Sequence, residues 1–164
     1  MVRFYAEDVI LINIDMRYKK VILTYYDVED NIAEETLWIE KKGDNRYQIK
    51  NTPFFAPNIA FNDIISVEDD EGILYYDDIL KTSEHSTVQL IVLKDEQIKN
   101  IIKNIEKFGC SWEGINNQKL LAVDIPVNVD YNEIRKYFLL LRENKTIDFK
   151  EACLSITHNT QVEK

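Results

Sequence analysis

The feature that most constrains the fold is a change in the spacing of the apolar residues about half-way along the chain. In the first half, segments such as KVILTYYDV and ETLWIEKK alternate with a period of two and are rich in β-branched and aromatic residues. This pattern is typical of half-buried strands. After Asp95, the residues Ile98, Ile101, Ile105 and Phe108 follow at helical spacing. The sequence therefore predicts an α+β protein built from two unlike halves.

The first half, residues 1–84, is predicted to form a small β-barrel. VILINID and RYQIKN supply two further strands, and Gly43 and Asp44 of KGDN suit a tight turn. Asn62 tolerates a left-handed backbone, so Asn62-Asp63 turns the chain into a strand at 64–67, and DDEG reverses it into another. Short strands at this spacing, with no helix between them, are typical of a closed or half-closed barrel.

The second half, residues 85–157, is predicted to be a ferredoxin-like β-α-β-β-α-β unit. The first helix is expected to begin at Asp95 as its N-cap and to end at Gly109. Asp130 and Glu133 form a capping box at the start of the second helix. The four strands are expected at 87–93, 110–115, 119–125 and 147–156, the last with a bulge near Glu151.

Two connecting segments and the C-terminus complete the predicted organisation. DDILKTSEHST contains neither Gly nor Pro, so we expect the barrel half to pack firmly against the second half. In TPFFAP, Pro53 and Pro57 cannot donate ladder hydrogen bonds, which predicts an edge or a connection. Phe54 and Phe55 are then expected to plug the barrel or to cover the second half. Residues 158–164 are predicted to be a loose tail.

The negative charge lies almost entirely in the first half. Up to Lys94 there are 18 acids against 10 Lys and Arg, and after it 11 against 10, for a net charge of −9. A field of this sign repels phosphate backbones and attracts basic proteins. We therefore expect a basic protein partner and no nucleic acid, although the same charge also serves solubility.

The first functional hypothesis is a small acidic protein-binding module, for example an immunity protein that neutralises a basic toxin domain. Tight inhibitors of basic enzymes commonly use such charge complementarity. The candidate partner-binding residues are the acids of one segment and the aromatic anchors beside them: Glu68, Asp69, Asp70, Glu71, Tyr75, Tyr76, Asp77 and Asp78.

Two other hypotheses involve His85. A ligand-sensing or regulatory module would hold a small molecule between the two halves near Phe54, Phe55 and His85, because pockets favour such junctions. An enzyme would use His85 of TSEHST as its reactive group. Adjacent residues of a strand point to opposite faces, so we expect a turn histidine bonded to the backbone. The sequence therefore predicts no catalytic residue and no enzyme.

The sequence predicts neither a metal site nor a cofactor. His85 and His158 are the only histidines, and Cys110 and Cys153 are isolated, which leaves no zinc-ligand spacing. Four glycines supply no phosphate-cradling loop. The two cysteines are expected to be small core residues on neighbouring strands.

The expected location is the cytoplasm. Two cysteines fit a reduced intracellular protein better than a disulfide framework. No apolar run approaches the roughly 20 residues that span a bilayer, and the N-terminus has no basic region or cleavage site of a signal peptide.

Four segments together resemble a bacterial family known only as domain of unknown function 4265: NTPFFAPNIAFNDIISV, SEHSTVQLIV, FGCSWE and LLAVDIP. The resemblance extends roughly from Glu35 to the second helix. The family's Asn-x-Pro-Phe-Phe segment corresponds to residues 51–55, its Gly-Asp-Val-Val motif to 62–65 and its Ser-Gly-His-Ser-Thr segment to 83–87. Asn62 and Glu84 replace two of the motif glycines, and a left-handed backbone would cost Glu84 about 1 kcal/mol or more. The resemblance supports the architecture and implies no activity.

Overall fold

The first half of the chain is a closed five-stranded barrel. The computed structural model describes residues 17–162, so the predicted strand VILINID lies outside the described residues. The barrel strands follow one another around the wall, and the last pairs in parallel with the first through Ile22 and Tyr75. They are β1 (Tyr18–Tyr26), β2 (Ile32–Gly43), β3 (Arg46–Ile49), β4 (Ile64–Asp70) and β5 (Ile73–Lys81).

The period of two in the sequence places one apolar row inside the barrel. Val21, Leu37, Ile39, Ile49 and Ile65 are fully buried in one cluster, and each such side chain stabilises the fold by about 1.5–3 kcal/mol. The barrel predicted from the sequence is therefore confirmed within the described residues.

The tight turns of the barrel use residues with positive φ. The β2–β3 turn consists of Asp44 and Asn45, with Asn45 at φ 47°, whereas the sequence predicted Gly43 and Asp44. Gly43 still belongs to β2, because a register shift beside it moves the turn by one residue. The β4–β5 turn is Glu71-Gly72, with φ of 51° and 90°, the geometry of a two-residue hairpin.

The second half is a four-stranded antiparallel sheet with two helices on one face. Its strands lie in the order β7-β8-β6-β9. Ile101, Ile105, Ile134 and Phe138 of the helices pack on the sheet in one core cluster. The elements are β6 (Ser86–Val92), α1 (Ile98–Lys107), β7 (Ser111–Ile115), β8 (Leu120–Ile125), α2 (Tyr131–Glu143), β9 (Ile147–Cys153) and α3 (Ile156–Val162).

The helix ends agree only in part with the sequence pattern. Gly109 has φ 84° and its N–H donates to the carbonyl of Glu106, which confirms the predicted end of α1. Asp95 does not cap α1, because it opens a 3₁₀ turn at Asp95–Gln97. Asp130 does cap α2, accepting from the N–H of Asn132. Glu133 closes no capping box with it; its carboxylate instead meets Lys136 at 2.7 Å.

The C-terminal strand has the bulge that its broken alternation predicts. Thr87 pairs with Cys153 while Val88 pairs with Glu151, so Ala152 is the extra residue of β9. The predicted loose tail is wrong up to residue 162, since α3 occupies this segment and His158 is fully buried.

The two cysteines do not lie on neighbouring strands as the sequence suggested. Cys110 directly precedes β7 and Cys153 ends β9, and these strands are the two opposite edges of the sheet. Burial raises the pKa of the Cys110 thiol to about 12 and that of Cys153 to about 11.

The connection between β3 and β4, residues 50–63, links the two halves through its contacts with the sheet. It contains both prolines of TPFFAP and no strand, as predicted, and it lies across the face of the sheet opposite the helices. The hydroxyl of Thr87 donates to the carbonyl of Ile59 at 3.1 Å, and the N–H of Asn58 donates to the carbonyl of Ala152 at 2.8 Å. Among the helices of residues 17–162, none is long and apolar enough to cross a membrane.

Candidate functional site

His85 and Asp124 form a hydrogen-bonded pair where the barrel meets the sheet. Nδ1 of His85 lies 2.6 Å from Oδ1 of Asp124, and Oδ2 of Asp124 accepts from the hydroxyl of Ser111 at 3.1 Å. The Asp124 side chain is 5% exposed and that of His85 is 19% exposed. A buried carboxylate on Nδ1 fixes the orientation and tautomer of the imidazole. Nε2 of His85 is therefore the ring nitrogen left for a ligand.

The pairing of the strands brings these side chains together. Thr87 of β6 and Ser111 of β7 both pair with Asp124 of β8, so the carboxylate lies between two strands on the barrel-facing side of the sheet. His85 immediately precedes β6 and reaches the same carboxylate from the junction. Its ring also meets the edge of Phe61, with centroids 5.8 Å apart.

A second buried carboxylate, that of Asp63, holds the turn before His85. Asp63 is 2% exposed and accepts from the N–H of Ala60 at 2.8 Å and from that of Ser83 at 2.7 Å. Desolvation raises the pKa of Asp63, and the hydrogen bonds from Ser83 and Ala60 partly offset this rise. Glu84, which follows Ser83 in the chain, has φ 62°, a left-handed conformation that a non-glycine residue rarely adopts. Strained backbone of this kind concentrates at functional sites.

His85 and the two residues before it, Ser83 and Glu84, border a cleft of about 510 Å³, here called the His85 cleft. Its barrel side carries Gln48, Asn62, Lys81, Thr82 and Glu84, together with Ile64 and Ser83, and Val127 completes the second side. Among the residues of the described chain, none bonds Nε2 of His85.

Asp124 raises the pKa of His85. The largest cause is the hydrogen bond from Nδ1 to the carboxylate; burial opposes it, and the charges of Asp124 and Asp63 add to it. The imidazole therefore holds its proton to a higher pH than a solvated histidine.

The prediction of a turn histidine bonded to backbone is wrong for the side chain, which bonds a carboxylate instead. The sequence did not reveal Asp124, because 39 residues separate it from His85 and only the register of β6 on β8 brings them together. Three segments singled out in the sequence do meet here: residues 62–65, residues 83–87 and LLAVDIP with Asp124.

Residues 35–149 match the model of a family described as a domain of unknown function (DUF4265). The chain belongs to this family. The DUF4265 domain is also similar to a solved structure, a hypothetical protein from Neisseria gonorrhoeae, with 31% sequence identity and a TM-score of 0.77. The match covers 84% of this chain and 95% of that one. Among curated proteins, none matches the chain.

Phe54 and Phe55 do not lie at the His85 cleft. They line a separate apolar groove of about 360 Å³ with Tyr25, Tyr26 and Ile91. The carboxylate of Glu35 accepts the N–H groups of Phe54, Phe55 and Ala56 at 2.7, 3.1 and 2.7 Å, which fixes the turn that presents both rings. The predicted pocket of the DUF4265 domain is thus divided between two cavities.

The predicted partner-binding residues lie on the β4–β5 hairpin. Its acids are all exposed, whereas Tyr75 and Tyr76 are half-buried and Tyr76 packs against the barrel core. Within residues 17–162, none of the six carboxylates forms an ion pair. They are Glu68, Asp69, Asp70, Glu71, Asp77 and Asp78.

Glu113 of β7 is a further acid at the junction. Its carboxylate accepts from the N–H of Thr52 at 2.7 Å. Burial raises the pKa of Glu113 to about 7; the bonds from Thr52 oppose the rise, and the charges of Asp124 and Glu35 add to it. In the described part of the chain, no three His, Cys, Asp or Glu side chains come together in a group that could hold a metal ion.

Proposed function

We propose that this DUF4265 domain is a ligand-sensing or regulatory module that binds a small molecule in the His85 cleft. The observation that carries the proposal is an imidazole that a buried carboxylate holds at Nδ1 and whose Nε2 bonds no residue of the range 17–162. Pockets with a few convergent polar groups at the junction of two structural units are the usual ligand sites.

Binding is favoured over catalysis by the state of the nearby nucleophiles. The hydroxyl of Ser83 donates to the carbonyl of Phe61 at 2.7 Å, and that of Ser111 donates to Asp124. Both cysteine thiols have raised pKa values, so neither is a thiolate at neutral pH. Covalent catalysis needs an accessible nucleophile that is activated by an adjacent base. The hydroxyl of Ser86 lies 2.7 Å from Nδ1 of His158, but both residues are fully buried.

The position of the cleft favours a regulatory role. Asn62 and Lys81 belong to the barrel half, whereas His85 and Val127 belong to the sheet half. A ligand that contacts both halves stabilises the arrangement in which they are packed together. Such differential binding is what lets a ligand shift a conformational equilibrium.

A thermal-shift screen of metabolites tests this function with three proteins: wild type, His85→Gln and Phe55→Ala. We expect at least one metabolite to raise the melting temperature of wild type and of Phe55→Ala, but not of His85→Gln. Phe55→Ala is the matched control because it changes the apolar groove and leaves the cleft intact. A screen without a stabilising metabolite, or one whose hits depend on Phe55 alone, would contradict the proposal.

A second candidate function is the binding of a basic protein by the β4–β5 hairpin, as an immunity protein binds a basic toxin domain. It is supported by six exposed carboxylates that no cation of residues 17–162 neutralises. Unpaired charge of one sign increases the association rate of an oppositely charged partner, and salt weakens the effect.

Affinity capture with charge-reversed variants tests the hairpin. One variant combines Glu68→Lys, Asp70→Lys and Asp78→Lys, and its control combines Glu34→Lys, Glu96→Lys and Glu143→Lys at other exposed sites. We expect the wild type and the control to bind the same basic protein and the hairpin variant to lose it. Equal capture by both variants would sink this function, and a neighbouring gene that encodes no toxin would argue against the immunity role.

We also infer a ferredoxin-like arrangement for the second half and a cytoplasmic location. The first is supported by the strand order β7-β8-β6-β9 with both helices on one face. The second is supported by two unpaired cysteines.

A further inference from the structure

We propose that the His85 cleft recognises an oxyanion, a carboxylate or phosphate group of the small molecule, through Nε2–H of His85 and the ammonium group of Lys81. This inference rests on the proposed ligand-binding function and narrows it to one chemical class of ligand. Charge-assisted hydrogen bonds to such groups are about twice as strong as neutral ones.

The cleft presents mainly hydrogen-bond donors. Its lining includes the ammonium group of Lys81, the amide groups of Gln48 and Asn62, the hydroxyl of Thr82 and the imidazole of His85. The ammonium group only donates, the protonated imidazole donates from Nε2, and each amide group has an NH₂ donor beside its oxygen. An anion can therefore accept from four of these five groups, while the hydroxyl of Thr82 already donates to Glu84. The donors come from three segments of the barrel half and from His85 just before β6, so they line the cleft from more than one element.

The acids near the cleft are buried or already bonded. Asp124 and Asp63 are 3% and 2% exposed, and each accepts two hydrogen bonds from the protein. Glu84 lines the cleft and accepts from the hydroxyl of Thr82 at 2.9 Å. Among the acids of residues 17–162, only Glu84 therefore opposes an anion from the cleft wall, whereas Asp124 and Asp63 favour the protonated form of the imidazole.

The charged groups around His85 determine the pH range of binding. Asp124 of β8 and Asp63 before β4 raise the pKa of His85, while Lys81 and Glu84 line the same cleft. His158 of α3 has a lowered pKa because of burial, so it is neutral near pH 7 and adds no charge. An anion that binds the imidazolium is lost as the pH rises through the pKa of His85, and by linkage its binding raises that pKa further.

NMR titration of the full chain with inorganic phosphate and, separately, with acetate tests the inference. The chain has only two histidines, so the ring signals of His85 are assigned by comparison with His85→Gln. We expect at least one anion to shift these signals and raise the pKa of His85, and the relative affinity of the two anions distinguishes phosphate from carboxylate. No shift of His85 with either anion would overturn the inference.

Substitutions of the charged residues that line the cleft sharpen the test, because they leave the His85–Asp124 pair unchanged. Lys81→Gln is expected to weaken anion binding about tenfold, the effect of losing one charge-assisted contact. Glu84→Gln is expected to strengthen it, and Lys103→Gln on α1, an exposed lysine elsewhere, is expected to change it little. Equal weakening by Lys81→Gln and Lys103→Gln would show a non-specific charge effect and would contradict the inference.

The failure of this inference is distinguishable from the failure of the proposed function. If a neutral or cationic metabolite stabilises wild type but not His85→Gln, and neither anion shifts His85, the ligand site stands and its oxyanion specificity falls. If no metabolite and no anion acts on His85, both fall.

Discussion

Two sets of carboxylates in this DUF4265 domain have opposite surroundings. The six acids of the β4–β5 hairpin are exposed and form no ion pair within residues 17–162. At the junction, Glu35, Asp63, Glu113 and Asp124 each accept hydrogen bonds from defined backbone or side-chain donors. The hairpin acids stay exposed even where Asp69 and Asp77 accept a hydrogen bond, whereas Asp63 and Asp124 of the junction are buried.

The difference has a simple physical cause. A carboxylate in water keeps its hydration whatever its neighbours are, so removing it changes little. A carboxylate removed from water needs protein donors in place of hydration, and the donors need it in return. The junction acids should therefore be sensitive to substitution, and the hairpin acids should be tolerant.

The largest expected effect is that of Asp124→Ala. It removes the partner of His85 and Ser111 from a buried position, and breaking a buried charged pair costs about 3 kcal/mol or more. Asp70→Ala on the hairpin is the matched control, expected to change stability by less than about 0.5 kcal/mol. Urea denaturation at pH 7 measures both, and equal losses would remove the contrast between the two sets.

Glu113→Gln should change the free energy of unfolding by about 2 kcal/mol, and the change should depend on pH. One pKa unit corresponds to about 1.4 kcal/mol, and partial exposure reduces the full value. The folded pKa of Glu113 is about 7, above its ordinary value of 4.5. The folded protein then binds more protons than the unfolded one between these values, so stability falls as the pH rises from about 4.5 to 7.

The variant loses this part of the pH dependence. Glu113→Gln should match wild type near pH 4.5 and be more stable at pH 8, because the amide oxygen still accepts from Thr52 without the cost of a buried charge. Denaturation curves at several pH values measure the difference. A difference that does not change with pH would mean that Glu113 is ionised without penalty.

Relieving the left-handed backbone strain should stabilise the fold equally at the cleft and on the hairpin. Glu84 at the cleft and Glu71 on the hairpin have φ of 62° and 51°, so Glu84→Gly and Glu71→Gly should each stabilise the fold by about 1 kcal/mol. Glu68→Gly, within β4, is the control and should destabilise it by about 0.5–1 kcal/mol. Thermal unfolding compares the three, and loss of stability in Glu84→Gly would place its side chain in an essential contact.

The smallest expected effect is that of neutralising the hairpin. Combining Glu68→Gln, Asp69→Asn and Asp70→Asn should raise stability by less than about 0.5 kcal/mol at low salt, because like charges then repel less. The gain should disappear near 1 M salt, where the Debye length is about 3 Å. Asn at position 69 keeps an oxygen that can accept the N–H of Gly72, as Oδ1 of Asp69 does at 2.8 Å. A loss of stability would therefore mean that the negative charge itself stabilises the hairpin.

The elements were largely predictable because each follows from a local period. The barrel strands, α1 with its stop at Gly109, and the β9 bulge all appear as local patterns. The predicted elements were wrong where a contact with a residue distant in the sequence determines the local structure. Asp95 enters a 3₁₀ turn and meets Lys119 at 2.8 Å, and the expected tail forms α3 because His158 binds Ser86 at 2.7 Å in the core.

The candidate site was predictable only in part. His85 was singled out from TSEHST, but Phe54 and Phe55 belong to another cavity. Asp124 carries no local signal, because a lone acid at the end of an apolar strand looks the same whether it is exposed or buried. Its role depends on the pairing of β8 with β6 and β7.

The sequence by itself determined most of the strands and helices, and that six of the 18 acids up to Lys94 lie in one short segment. These properties depend on neighbours within a few residues, which periodicity and turn chemistry report. The tertiary structure alone decided which carboxylates leave water and which side chain they orient. Desolvation and hydrogen-bond geometry depend on chain segments that are distant in the sequence and adjacent only after folding, and the His85–Asp124 pair exists for that reason.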